Sequence, residues 1–184
     1  MSLEACLAEA CRWFVLLALL AAAAGKSFRF ARFRESLDTG FPMLGRVGAT
    51  TIAAIILCGE WLAGVLILAG GTLSRIGLQL ALALFVSLTL VVVTVVTRGL
   101  SVRCNCFGAS QQRITGFDLV RNLLFITAAG VALLAAPVTA VIDPMGGLPL
   151  VAVMVIVAIA LMCLHLSLHL RDLAQLMQVR AEDL

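Results

Sequence analysis

The sequence predicts an all-α protein, a polytopic transmembrane helix bundle, and three observations predict it. Of the 184 residues, 62% are hydrophobic and only 12% charged, against about 25% charged residues in an ordinary soluble domain. Mean hydropathy is +1.13, and a folded domain of this size leaves too much surface uncovered to hide that much apolar area from water. The apolar residues also fall into continuous runs instead of alternating, which is the pattern of membrane helices and not of barrel strands. No polar stretch is long enough to fold alone, so residues 1–184 read as a single integral membrane domain. The bilayer is the expected partner. A net charge of +3 gives no reason to expect a nucleic acid.

Five runs approach the roughly 20 residues that a helical crossing needs. The first covers residues 3–24, with Glu4, Glu9 and Arg12 in its opening half. It lacks the order of a signal peptide, a basic head before an apolar core and a small-residue cleavage site, and is read as a retained span. The others cover 47–69, 73–97, 117–136 and 148–169, and residues 171–184 form a polar tail with helical spacing. Gly70-Gly71 joins the second and third spans as a tight turn. Between the first two spans, Lys26 to Arg34 interleaves cations with Phe28, Phe30 and Phe33. That segment is expected in the headgroup region, with its rings at the acyl boundary and its cations at phosphates.

With five crossings, the ends of spans one, three and five share a side. That side carries Gly25-Lys26, the segment from Arg103 to Gly108, and the His165/His169 end of span five, with Arg121-Asn122 near the same leaflet. It also holds Lys26, Arg29, Arg32, Arg34, Arg46, Arg98, Arg103, Arg113, Arg171 and Arg180, against Arg12 and Arg75 opposite. By the positive-inside rule this face is cytoplasmic.

Among the cysteines, Cys6, Cys11, Cys58 and Cys163 lie within apolar spans, where a thiol is ordinarily a small buried hydrophobe. Cys104 and Cys106 differ. They follow span three, beside Arg103 and ahead of a Phe-Gly turn in which Gly108 permits a tight backbone. A neighbouring cation favours the thiolate, the form that attacks disulfides. A disulfide across one intervening residue is strained and easily reduced, which suits electron exchange better than stapling. Two other readings stay open. The pair could be inert, or it could give two thiolates to Zn²⁺ or copper with His165 and His169, at i and i+4, as further ligands. No metal site is expected.

Glu60, beside Trp61, is the outlier within span two. A carboxylate there costs several kcal/mol unless paired, protonated or facing a cavity, and Arg121 and Asn122 are the expected partners. A polar cluster among helix ends is also of the kind that receives a quinone headgroup. No motif identifies a cofactor, so a quinone stands as the one candidate.

Taken together, Gly25-Lys26, Glu60, Cys104-Asn105-Cys106-Phe107-Gly108 and Arg121-Asn122 resemble the MauE branch of the DoxX-like membrane proteins, over roughly residues 15–130. The Cys-x-Cys-Phe-Gly segment is the most specific part. The resemblance implies a four-helix core plus a fifth span, in a bacterial plasma membrane. It also implies thiol–disulfide exchange with a thioredoxin-fold partner in maturing extracytoplasmic proteins, with Cys104 and Cys106 as the redox pair. By that analogy Arg103 activates the pair, and Glu60, Arg121, Asn122, Lys26 and Gly108 support it. The Cys-x-Cys face would then look outward, against the charge count, into the compartment where disulfides persist. Whether the chain is an oxidoreductase stays open at this point. A non-enzymatic scaffold of a maturation or export complex is the alternative, and a transporter built on Glu60 the third reading.

Overall fold

A computed structural model describes residues 3–98, 116–135 and 150–168. All the elements among them are helical. They are α1 (Leu3–Phe28), α2 (Phe30–Gly40), a 3₁₀ turn (Pro42–Leu44), α3 (Gly45–Ala69), α4 (Gly71–Thr97), α5 (Gly116–Ala135) and α6 (Leu150–Leu168). Among the described residues, four helical segments are long and apolar enough to cross a membrane: Cys6–Phe28, Gly45–Ala69, Gly71–Thr97 and Asp118–Ala135. The expected fifth span corresponds to α6, whose apolar stretch Met154–Cys163 is shorter. The polar tail expected over 171–184 lies outside the described residues.

The helix α1 is the hub, in contact with α3, α5 and α6. Its inward stripe is Val15, Ala18, Leu19, Ala22, Ala23 and Lys26, all buried at the three-and-four spacing of one helix face. Small residues on that stripe let backbones approach closely, which is how helices associate when lipid outside is as apolar as the interior. At the centre, Phe125 of α5 lies 5.6 Å from Phe14 of α1 and 5.3 Å from Phe85 of α4, ring centre to ring centre, in tilted geometry.

The α3–α4 hairpin shows the same economy. Gly70 and Gly71 both have positive φ, 72° and 59°, so the reversal uses backbone that side-chain-bearing residues rarely adopt. Further in, a Cβ on Gly77 would stand 2.8 Å from the Ile67 nitrogen and 2.9 Å from the Ala63 oxygen. Both are backbone atoms that cannot step aside. Gly77→Ala is therefore expected to push α3 and α4 apart at a cost of about 1–3 kcal/mol. A lowered melting temperature of the detergent-solubilised protein would register it.

The connection between the first two spans is itself helical. The helix continues to Phe28, breaks at Arg29 (φ −129°, ψ 36°), and resumes as α2. The helix α2 packs against α3, whose Ala49 and Ala53 are completely buried. Its aromatic residues divide accordingly. Phe28 is 88% exposed and Phe33 only 4%, so Phe33 belongs to the interior while Arg29 and Arg32 stay exposed.

Candidate functional site

The strongest polar feature inside the bundle joins α1 to α3. Lys26 Nζ donates to Glu60 Oε1 at 2.5 Å, with both side chains buried, at 1% and 2% exposure. The Lys26 ammonium also sits 5.5 Å from the ring centre of Phe33, a cation–π contact that gains strength where water is excluded. One residue along each helix, Trp61 Nε1 donates to Ser27 Oγ at 3.2 Å. The second carboxylate oxygen, Glu60 Oε2, is buried with no hydrogen-bond partner among the described residues.

Helical geometry fixes the depth of this pair. At 1.5 Å per residue, Glu60 lies roughly 22 Å from the Gly45 start of α3 and roughly 13 Å from its Ala69 end. Glu60 is therefore well inside α3, whereas Lys26 stands two residues before the Phe28 end of α1. Two buried charges recover their desolvation cost only through close mutual contact and hydrogen bonding, and Lys26, Glu60 and Phe33 supply that contact from three helices.

The contacts of α1 advance along α3 in antiparallel order. At the far end, Arg12 Nη1 donates to the Ile67 carbonyl at 3.3 Å, one of the last four carbonyls of α3, which have no partner within the helix. Arg12 is held by Glu9 through Nε bonds of 3.1 and 3.0 Å and a closer Nη2 contact. Trp13 Nε1 donates to the same carboxylate at 3.0 Å, and the Arg12 guanidinium lies 5.5 Å from the Trp13 ring centre. Next, Leu16 and Leu20 line the space beside Gly64, and then comes the Lys26–Glu60 pair.

One expectation is corrected here. Glu60 pairs with Lys26 and not with Arg121 or Asn122, because α5 packs on α1 and α4. Arg121 donates to Asp118 at 2.9 Å, one turn earlier on α5, and Asn122 is buried. Arg103, Cys104, Cys106, Gly108 and His169 lie outside the described residues. His165 is exposed near the end of α6. Among the described residues, no group of three or more His, Cys, Asp or Glu could hold a metal ion. The described cysteines Cys6, Cys11, Cys58 and Cys163 carry free thiols, and Cys58 and Cys163 are exposed on the bundle instead of buried in it.

The family model for the methylamine utilisation protein MauE matches residues 4–135. The chain belongs to the MauE family. The matched range takes in α1 through α5, so the Lys26–Glu60 pair, Arg121-Asn122 and the Cys104/Cys106 segment all fall within the family's own span. No curated protein and no solved structure matches this MauE family member. It is a multi-pass membrane protein, by family and by its apolar helices.

Proposed function

We propose that this MauE family member is a membrane thiol–disulfide exchange protein that supports the maturation of an extracytoplasmic protein of methylamine utilisation. The observation that carries the reading is the Cys104/Cys106 pair inside the family's matched range. In this mechanism a thiolate of a reduced thioredoxin-fold partner attacks one sulfur of the Cys104–Cys106 disulfide. The S–S bond breaks, a mixed disulfide forms, and the other cysteine leaves as thiolate. The partner's second thiol then attacks the mixed disulfide, so the partner ends oxidised and the pair reduced. Arg103, next in sequence to Cys104, favours the leaving thiolate.

Two electrons and two protons must then leave Cys104 and Cys106. A membrane quinone is the proposed acceptor and would supply the two-electron sink that lets the disulfide reform. Lys26 and Glu60 hold α1 against α3 beneath this chemistry and do not touch the sulfurs in the mechanism. The Cys-x-Cys face is assigned to the extracytoplasmic side, where the product disulfide survives.

Serine at Cys104 or Cys106 leaves one thiolate, which attacks the disulfide of the oxidised partner, releases the partner's other sulfur as thiolate, and forms a mixed disulfide that no second cysteine of this chain can resolve. One of the two single variants is expected to accumulate a mixed disulfide with a thioredoxin-fold protein, visible on non-reducing gels and lost on reduction. If neither variant traps a partner and both mature the substrate normally, the chain acts as a scaffold and the exchange mechanism is wrong.

A further inference from the structure

A groove of about 400 Å³ opens between α1, α5 and α6, away from the Lys26–Glu60 pair. Phe14, Leu124, Val131, Ile159 and Ala160 make much of its wall, and Cys11 and Cys163 face into it from α1 and α6. The Thr127 hydroxyl that borders it is already donated to the Leu123 and Leu124 carbonyls. Among the described residues, its lining therefore offers thiols and carbon, no charge, and as its one other polar group the Thr127 hydroxyl oxygen, whose hydrogen is already donated. The groove exists because α6 leans on α1, whereas α5 packs on α1 and α4, so the two outer helices diverge along the hub.

Its position decides what can fill it. Apart from Leu166, the described walls belong to the apolar stretches Cys6–Phe28, Asp118–Ala135 and Met154–Cys163, whose composition suits the groove to hydrocarbon. Water does not settle in an apolar cavity that gives it no partners. An empty cleft of this size would leave its lining without dispersion contacts on one side. We infer that the groove between α1, α5 and α6 is a binding site for an acyl chain of a bilayer phospholipid, which lies between Cys11 and Cys163 and completes the packing of α6. Recognition within the groove rests on the chain and not on the headgroup, because the described walls carry no charge to meet a phosphate.

The test uses the full chain in vesicles of phosphatidylethanolamine and phosphatidylglycerol, doped with phosphatidylethanolamine that bears a diazirine in mid-chain. After illumination, labelled peptides are mapped by mass spectrometry. Labelling is expected to concentrate on 10–14, 124–131 and 159–166, several-fold above the exposed α4 face at Ile76, Val86 and Leu90. Ala128→Phe and, separately, Ala160→Phe each place a ring in the cleft and are expected to lower groove labelling several-fold while leaving the α4 face unchanged. Two variants on different helices guard against one that fails to fold, and the unchanged α4 signal reports that folding. Equal labelling of groove and α4 face would overturn the proposal. So would efficient Cys163-to-Cys163 cross-linking by a short bis-maleimide with the groove unlabelled, which would put a second copy of the chain in the cleft. Neither result depends on thiol exchange at Cys104 and Cys106, so this site and the proposed function stand or fall separately.

Discussion

Glu60→Ala is expected to cost the bundle about 3–5 kcal/mol, because it strands the Lys26 ammonium in the interior without its counter-charge. The starting geometry makes the loss severe. Lys26 is 1% exposed and bonded to Glu60 at 2.5 Å, so its short remaining path to water is closed by α3 and by Phe33. Lys26→Ala leaves the complementary defect, with both Glu60 oxygens unpartnered in place of one. The double replacement Lys26→Met with Glu60→Leu removes both charges at similar volume and is expected to recover most of either single loss, since apolar substitutes for a buried pair are often neutral or stabilising. A thermal unfolding series on the solubilised protein supplies the double-mutant cycle. Additive losses would mean that the two side chains do not act as a unit.

The second large effect concerns function and not stability. Serine at both Cys104 and Cys106 is expected to abolish maturation of the target protein while leaving the stability within about 0.5 kcal/mol of the parent, because every described helix contact stays in place. The contrast with the ion-pair series is the informative part. Loss of the pair is expected to lower stability and, with it, the amount of active protein, whereas loss of the sulfurs removes the reacting atoms from an intact bundle. Maturation that persists in the doubly substituted protein would leave the scaffold reading in place.

Much of the fold is legible in the sequence, for reasons that individual residues make plain. The apolar runs announce the spans because a bilayer imposes length and composition at once, and Gly70-Gly71 announces the α3–α4 turn because the backbone there needs positive φ. Glu60 announces itself as a charge in an apolar helix. Its partner is harder to see, because Lys26 stands at the end of an apolar run and reads as the first residue of a face. The signal is nonetheless present in the register. Val15, Ala18/Leu19, Ala22/Ala23 and Lys26 keep one inward stripe, and Glu60 lies on the α3 stripe of Ala53, Ala63, Gly64 and Ile67. Opposite charges on the inward faces of two successive spans are natural partners, since neither can be left alone in an apolar interior.

Other features are not legible from the pattern of a single chain. Phe28, Phe30 and Phe33 look alike in sequence, yet the break at Arg29 sends Phe33 inward over Lys26 and leaves Phe28 outside. That division depends on where α3 lies. The Arg12–Glu9 clasp on the Ile67 carbonyl is likewise a tertiary contact, although three ionisable residues in the first half of a span already call for internal partners. The groove with Cys11 and Cys163 on its walls follows from the way α6 leans on α1, which periodicity does not encode.

Cycling of Cys104 and Cys106 through a disulfide on the extracytoplasmic side can be read from thiol accessibility. A variant that keeps only these two cysteines is labelled in intact cells with a membrane-impermeant maleimide, before and after mild reduction, with lysed cells as the control. The expected result is no labelling of the resting pair, strong labelling after reduction in intact cells, and no further gain on lysis. Labelling that appears only on lysis, with or without reductant, would place the pair in the cytoplasm, as the basic residues on that face imply, and would contradict the exchange mechanism as stated.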